Sequence, residues 1–295
     1  MLELFATSAP LLIGSCLLLG LLIGSFLNVV VHRVPLMLER DWRAQCAELA
    51  GLSSSSTPAF NLVTPRSACP ACKAPITALQ NIPVISWLAL KGRCAACGVE
   101  ISARYPLIEL LTGVLSALVA WKFGYGWPML AALVLTWFLI ALAFIDLDTQ
   151  LLPDSLTLPL VWIGLGLSLF VASKGLAPLP VDPRSSIIGG LAGYLSLWSV
   201  YQLFKLVTGK EGMGYGDFKL LAALGTWLGW QMLLPIVLMS ALVGAVVGVA
   251  LMLRFGRERQ APMAFGPYLA AAGWITMMFG HELVDGYLGL FRSAG

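Results

Sequence analysis

A hydrophilic loop enters an apolar segment at Gly212-Met213-Gly214-Tyr215-Gly216-Asp217-Phe218-Lys219. A carboxylate at the mouth of an apolar segment is costly to hold, because low-dielectric surroundings penalise its charge. Asp217 is therefore a candidate functional residue. The glycines before it leave the backbone free to adopt positive φ and to approach another chain closely, as a site for an extended peptide requires.

A second candidate, Asp146, stands 71 residues earlier in Phe144-Ile145-Asp146-Leu147-Asp148-Thr149-Gln150-Leu151-Leu152-Pro153-Asp154. Two facing aspartates cannot both ionise comfortably, so they share one proton. One carboxylate can then act as a general base on water while the protonated partner polarises a scissile carbonyl. This is the chemistry of an aspartic protease. No GxSxG or HExxH motif offers another hydrolytic centre.

Other roles for these carboxylates remain open from the residues alone. Asp154 follows Pro153 as a helix N-cap residue does, which is a structural role. In a transporter, membrane carboxylates carry protons or cations, and a scaffold protein would not need them at all. Glu109 lies about one turn inside an apolar run, where a helix-end role and a functional role are equally compatible with its position.

The composition indicates a polytopic membrane protein. Hydrophobic residues make up 59% of the 295 residues and charged residues only 11%, against about 25% charged in soluble domains, and the mean hydropathy is +0.86. A net charge of +3 is too small to favour a nucleic-acid partner. We expect no cleavable signal peptide, because Met1 to Ala9 lacks Lys and Arg and the apolar run that follows is too long.

Eight apolar runs predict an all-α fold of about eight transmembrane helices, since only helices and closed barrels satisfy the backbone in lipid. We expect a first transmembrane helix at residues 1–33, a polar metal-binding domain at 34–105 and a transmembrane core at 106–295. The Ser-rich stretch Ser53–Pro58 indicates a flexible connector. The runs are Leu11–Val31, Leu107–Ala120, Trp127–Ile145, Leu156–Ala172, Ser186–Leu206, Phe218–Trp230, Leu233–Leu253 and Phe265–Phe279.

Glycine pairs four residues apart occur in three of these runs, at Gly20 and Gly24, Gly189 and Gly193, and Gly244 and Gly248. Such pairs allow helices in a membrane to cross closely. Each pair alone is weak evidence in a glycine-rich chain.

The distribution of Lys and Arg predicts the orientation. If the spans alternate and the large polar loop is cytoplasmic, 14 of the 18 Lys and Arg residues lie inside, which agrees with the positive-inside rule. Both termini are then periplasmic, and the Asp146 and Asp217 loops both open on the cytoplasmic face. The four residues placed outside are Lys122, Lys174, Arg184 and Arg292, and those inside are Arg33, Arg40, Arg43, Arg66, Lys73, Lys91, Arg93, Arg104, Lys205, Lys210, Lys219, Arg254, Arg257 and Arg259.

Four cysteines in the polar loop predict a zinc site. Cys69-Pro70-Ala71-Cys72 and Cys94-Ala95-Ala96-Cys97 are two CxxC pairs separated by 21 residues, and two such turns complete a tetrahedral four-thiolate site. Disulfides are rare in a reducing cytoplasm. Because four protein ligands close the coordination shell, we expect zinc to stabilise the loop. Cys16 is expected to be a small core residue, and Cys46 has no assigned role.

These features together resemble the type IV prepilin peptidases, also called prepilin leader peptidase/N-methyltransferases. The resemblance covers nearly the whole chain, although a GxGD motif alone also occurs in presenilin-like intramembrane proteases. Residues 43–65 depart from the pattern and indicate a local insertion. The resemblance is carried by Gly24-Ser25-Phe26-Leu27-Asn28-Val29-Val30-Val31-His32-Arg33, the two CxxC pairs, Arg104-Tyr105-Pro106-Leu107-Ile108-Glu109, Ile145-Asp146, Leu152-Pro153-Asp154, Gly214-Tyr215-Gly216-Asp217 and Phe265-Gly266-Pro267.

The resemblance implies a bifunctional enzyme of the bacterial inner membrane. Its catalytic aspartates fall on Asp146 and Asp217, and its zinc ligands on Cys69, Cys72, Cys94 and Cys97. Prepilins and pseudopilins would be the substrates, cleaved after a glycine that ends a short basic leader. The newly exposed amino group, usually of phenylalanine, would then be methylated from S-adenosylmethionine. The sequence contains no strand-led glycine loop of the Rossmann kind, so no residue is predicted to bind this cofactor.

Overall fold

A computed structural model describes residues 2–51, 59–172, 181–255 and 263–292. The Ser-rich stretch Ser53–Pro58 lies outside the described residues, as do Lys174, Arg257 and Arg259 of the charge count. Within the described ranges the regular structure is helical, and pairing between extended segments is limited to two isolated bridges. The predicted all-helical fold is confirmed.

The described residues form ten α-helices and two short 3-10 helices, the latter at Leu79–Asn81 and Trp230–Met232. Eight of the α-helices contain the eight predicted apolar runs to within two residues. The helices are α1 Leu2–Thr7, α2 Ala9–Leu49, α3 Ile85–Ala89, α4 Arg104–Phe123, α5 Trp127–Thr149, α6 Asp154–Ala172, α7 Pro183–Thr208, α8 Tyr215–Leu228, α9 Leu233–Phe255 and α10 Gly266–Arg292.

Five helical segments among the described residues are long and apolar enough to cross a membrane: α2, α4, α5, α7 and Trp230–Arg254. The protein is therefore a multi-pass membrane protein. The apolar part of α6, Asp154–Phe170, is shorter, and α8 has only 14 residues. The count of eight spans stays a prediction.

The first long helix extends beyond residue 33, where the first span was predicted to end. In the structure α2 continues to Leu49. The added residues are mostly exposed and include good helix formers such as Leu, Met, Glu, Arg and Ala. An i,i+4 ion pair of 2.6 Å joins Glu39 and Arg43 on this extension. Hydropathy detects only the apolar half of such a helix, so the extension was not predicted, and residue 33 as the end of the membrane-spanning part stays a prediction.

The chain divides into two compact units, Met1–Tyr125 and Gly126–Gly295. In the first unit, α2 crosses α4 closely at the predicted glycine pair. A Cβ atom added at Gly20 would lie 2.6 Å from the Ser116 Oγ, and one added at Gly24 would lie 2.7 Å from the Glu109 Cα. This close crossing requires glycine in α2. The two predicted spans in α2 and α4 therefore pack together in the first unit.

In the second unit, α7 and α8 are in backbone contact. A Cβ atom at Gly189 would lie 2.1 Å from the Gly225 carbonyl oxygen, and the Ser186 hydroxyl donates to the Thr226 carbonyl at 2.7 Å. The second neighbour of α8 is α6: the Trp227 indole N–H of α8 donates to the Leu160 carbonyl of α6 at 2.8 Å. From Asp217 onward almost every residue of α8 is buried. This burial fixes the position of Asp217 within the unit.

Candidate active site and metal centre

Asp146 lies in the last turn of α5, and only 5% of its surface is exposed. Its Oδ2 accepts a 2.9 Å hydrogen bond from the backbone N–H of Gly266, the first residue of α10. The first N–H groups of a helix lack partners within that helix and lie at the positive end of its dipole. The start of α10 therefore holds and orients one carboxylate oxygen.

Asp217 lies in the first turn of α8, with 7% of its surface exposed. The N-terminus of that helix also favours negative charge. Gly216, the residue before Asp217, packs against Leu152, as does Gly266, whose N–H binds the Asp146 carboxylate. The structure thus brings the two predicted aspartates together from helices that are far apart in sequence.

Leu152, in the loop between α5 and α6, fills the space beside both acids. A Cβ atom added at Gly216, next to Asp217, would lie 2.6 Å from the Leu152 Cβ. One added at Gly266 would lie 3.2 Å from the Leu152 Cδ1 and 2.7 Å from the Asp146 Oδ2. Both glycines are needed because any larger side chain would displace Leu152 or Asp146. Close approach, and not positive φ, explains glycine at these two positions.

An aromatic surface adjoins Asp217. The Tyr215 ring packs against those of Tyr201 and Phe218, with centroid separations of 5.4 and 5.6 Å. Tyr215 is half exposed, whereas Tyr201 and Phe218 are buried. The exposed ring offers an apolar contact for a peptide near the carboxylates. Sequence reasoning missed Tyr201, because nothing in the apolar run around it marks its proximity to Asp217.

The loop that precedes Asp217 is held by an ion pair. Lys205, in the last turn of α7, donates to the Glu211 carboxylate at 2.9 Å. This hydrogen bond, together with the charge of the ammonium group, lowers the pKa of Glu211. The loop between α7 and α8 is therefore joined to the end of α7.

The neighbouring acids Asp148 and Asp154 differ from the two candidates in their positions. Asp148 is exposed at the end of α5. Asp154 is the first residue of α6, one position later than the predicted N-cap role, and its carboxylate pairs with Lys219 of α8. This ion pair links two helices of the second unit near Asp217.

The four predicted thiol ligands form one cluster in the first unit, with all sulfur atoms within 4.8 Å of one another. The Sγ atoms of Cys69 and Cys97 are 3.8 Å apart, and those of Cys72 and Cys94 are 4.0 Å apart. Zinc–sulfur bonds of about 2.3 Å in a tetrahedron give sulfur separations of about 3.8 Å. The donor set therefore fits a zinc ion. Neither Cys16, buried in α2, nor the exposed Cys46 belongs to this cluster.

The two CxxC turns have the same backbone structure. The Cys69 N–H donates to the Ala74 carbonyl at 2.9 Å, as the Cys94 N–H does to that of Val99 at 2.9 Å. The residue after each second cysteine has positive φ, 61° at Lys73 and 72° at Gly98. Each turn therefore presents two thiols in the same way, and the pair can close around one metal ion.

The thiols differ in their ease of ionisation. Backbone N–H groups of Cys97 and Ala96 donate to the Cys94 sulfur and lower its pKa to about 6. Although the Val99 N–H favours the thiolate of Cys97, burial and the neighbouring thiols raise the pKa of Cys97 to about 11. Four adjacent thiolates repel one another, so a cation is needed to hold all four in the ionised form.

The sequence left the role of Glu109 open, and the structure shows that its carboxylate makes structural contacts. It is buried in α4, and its Oε2 accepts a 2.7 Å hydrogen bond from the Val84 backbone N–H. Ser25 of α2 also donates to this carboxylate. Glu109 therefore joins the loop between the CxxC turns to both helices of the first unit.

Comparison with known proteins agrees with the division into two units. The bacterial Peptidase A24 N-terminal domain matches residues 18–123, and the type IV leader peptidase family matches residues 133–249. No solved structure matches the chain.

Curated proteins are similar over most of their length. A prepilin leader peptidase/N-methyltransferase of Aeromonas salmonicida is 57% identical over 277 residues, which cover 92% of both chains. Proteins of the same name are 52% identical in Stutzerimonas stutzeri, over 98% of both chains, and 50% identical in Neisseria gonorrhoeae, over 90% of both chains. The chain therefore belongs to the type IV leader peptidase family.

Proposed function

We propose that this protein removes the leader peptide from type IV prepilins and type II secretion pseudopilins and then methylates the new amino terminus. Family membership supports both activities, since the similar curated proteins are named prepilin leader peptidase/N-methyltransferase. The observation that carries the peptidase assignment is the pair of buried aspartates beside Leu152, one of them held by the Gly266 N–H.

Peptide cleavage follows from the shared proton of two adjacent carboxylates. The ionised member of the Asp146–Asp217 pair takes a proton from a water molecule, and the oxygen attacks the scissile carbonyl carbon. The protonated member donates a hydrogen bond to the carbonyl oxygen, where negative charge develops. When the tetrahedral intermediate collapses, the carbon–nitrogen bond breaks and the amine leaves with a proton. Neither a metal ion nor a nucleophilic side chain is required.

We place the catalytic site at the cytoplasmic face of the bacterial inner membrane. The excess of Lys and Arg on one side supports this orientation, with the metal-binding loop in the cytoplasm and both termini in the periplasm. A short basic leader is retained on the cytoplasmic side for the same electrostatic reason. The Asp146 and Asp217 loops then open on the side where the leader lies.

We propose that the four-cysteine cluster binds one structural zinc ion. Four thiolates saturate its tetrahedral shell, so the ion would hold the two CxxC turns together without contacting a substrate. Since the two turns lie on either side of α3 in the segment between α2 and α4, the ion would stabilise the conformation of the loop.

For the metal, we expect about one zinc per chain, and replacement of both Cys69 and Cys94 by serine should remove it. Zinc measured by elemental analysis should fall to background, and the loop should become sensitive to protease because its turns lose their common ligand. Cys46→Ser is the matched control, since Cys46 is exposed on α2 outside the cluster. Protein purified without chelator that contains no zinc would contradict the assignment.

S-adenosylmethionine would supply the methyl group, and we propose that it binds in the cytoplasmic loop. The candidate region is an open cleft of about 540 Å³ beside the second CxxC turn. The cleft lies between Trp87 and the strand-like residues Glu100 and Ile101, with Lys91 and Arg93 on its border. An indole ring and charges of both signs suit an adenine ring and an amino-acid moiety.

Mass spectrometry of a prepilin incubated with the purified protein tests both activities in one experiment. Without S-adenosylmethionine, we expect loss of the leader after its terminal glycine. With it, the mature chain should gain one methyl group at its new amino terminus. An intact prepilin after incubation with zinc-loaded, folded protein would argue against the peptidase proposal, whereas cleavage without methylation would remove only the second activity.

A further inference from the structure

The segment between the two CxxC turns carries a row of exposed apolar side chains. Leu79, Ile82, Ile85 and Leu88 are 76%, 39%, 64% and 62% exposed, and they recur at every third position. We call these four side chains the apolar stripe. Four large apolar side chains exposed within ten residues favour an interaction surface.

Other side chains of the same segment fix it to the loop. Trp87 packs against Gly92, where an added Cβ would lie 2.8 Å from its ring. Its indole N–H donates to the Ile101 carbonyl at 3.0 Å, and the Ser86 hydroxyl donates to the Gln80 carbonyl at 2.7 Å. These contacts hold the segment in place and do not involve the side chains of the apolar stripe. The stripe remains exposed on the first unit.

A hydrogen bond fixes the depth of this segment relative to α4. The Val84 N–H donates to the Glu109 Oε2 at 2.7 Å, and Glu109 is the sixth residue of α4. Because α4 has 20 residues, it is about 30 Å long, the thickness of the hydrocarbon layer. Side chains of a helix lean toward its N-terminus, so the carboxylate meets Val84 near the first turn of α4. The segment therefore lies where α4 enters the bilayer.

The strained backbone of Val84 agrees with a segment that the hydrogen bond to Glu109 holds in place. Val84 has φ 59° and ψ −49°, and the Ile85 N–H donates to the Pro83 carbonyl at 2.5 Å. This is a γ-turn with positive φ, which is rare and strained for a β-branched residue. Such strain persists only where surrounding contacts enforce it. The turn directs the chain into α3, which carries two members of the apolar stripe.

Side chains of α4 mark the same level of the membrane. Tyr105, the second residue of α4, is 46% exposed, and an exposed tyrosine at a helix end is typical of the membrane–water boundary. Leu107 and Leu110 follow it and are 56% and 48% exposed, as expected for side chains in contact with lipid. The apolar stripe is tied through Glu109 to this part of the helix.

We infer that the apolar stripe inserts into the interfacial layer of the bilayer that α4 crosses, so that lipid covers it. An interfacial segment buries its apolar side about 5–10 Å into the headgroup and acyl boundary. Gln80, Asn81 and Ser86 alternate with the stripe and provide polar groups for the hydrated side. The metal-binding loop is thereby held against the membrane surface at a second point, besides its covalent connections to α2 and α4.

Lipid-borne quenchers test this inference in the full-length protein. A small fluorescent amino acid would replace Leu88, and the zinc-loaded protein would be reconstituted alone into vesicles of phosphatidylcholine brominated on its acyl chains. We expect a loss of fluorescence close to that of the same probe at Leu110. The loss should decrease as the bromine atoms are moved from the upper acyl chain toward the bilayer centre. Glu48, exposed near the end of the polar extension of α2, provides the aqueous control.

A probe at residue 88 that remains as unquenched as the one at residue 48 would overturn the inference. So would quenching that appears only at high protein-to-lipid ratio, because a second copy of the chain would then be the partner. Unchanged zinc content shows that the loop is folded in each variant. The same probe at Leu79 gives an independent measurement if the variant at residue 88 does not retain zinc.

Discussion

Replacing Asp217 by asparagine is expected to reduce leader cleavage by about 10³-fold or more, because the amide can neither hold the shared proton nor accept one from water. Asp146→Asn should have an equally large effect. The double variant should be little worse than either single variant, since the two carboxylates act as one unit. The rate of appearance of mature pilin, measured by mass spectrometry under single-turnover conditions, checks this expectation.

Asp148→Asn is the matched control for the aspartate variants. It changes a carboxylate two residues from Asp146 on the same helix, but that side chain is exposed. Cleavage should stay close to that of the unmodified protein. Retained helical content and zinc would show that the Asp146 and Asp217 variants are folded. An Asp217→Asn or Asp146→Asn variant that cleaves prepilin at the unmodified rate would refute the proposed dyad, and a transporter would have to be considered instead.

Gly266→Ala is expected to lower cleavage by about 10²-fold, although residue 266 donates no side-chain group. The added methyl group would lie 2.7 Å from the Asp146 Oδ2 and 3.2 Å from the Leu152 Cδ1, so the carboxylate must move. Displacements of about 1 Å in a catalytic group can cost this much. The backbone N–H remains and alanine favours a helix more than glycine does, so a weaker α10 would not explain the loss.

Gly166→Ala is the control for the Gly266 variant. It introduces the same methyl group in α6, where no atom lies within 4 Å of the new Cβ. We expect unchanged cleavage by Gly166→Ala and unchanged thermal stability of both variants to within a few degrees. If Gly266→Ala cleaves prepilin as fast as Gly166→Ala does, the packing of Gly266 against Asp146 has no catalytic importance.

Local features of the chain were enough to predict the helices and the thiol cluster. Each apolar run favours a helix through its local composition, and each CxxC turn depends on hydrogen bonds within a few residues. For the same reason the extension of α2 to Leu49 was missed. That extension is a helix without an apolar signal, so hydropathy cannot detect it.

The two aspartates could be singled out from sequence because ionisable groups within apolar segments are costly to hold and therefore uncommon. Their surroundings could not be predicted in the same way. The hydrogen bond from Gly266 to Asp146 joins residues 120 positions apart, and Leu152, Tyr201 and Tyr215 lie in three different elements. Hydrophobicity and spacing are properties of neighbouring residues, and they yield the helices, the acids and the paired cysteines. Only the packing of distant helices through glycine contacts decides which atoms meet around the carboxylates, because side chains of similar hydrophobicity are interchangeable in sequence but not in shape.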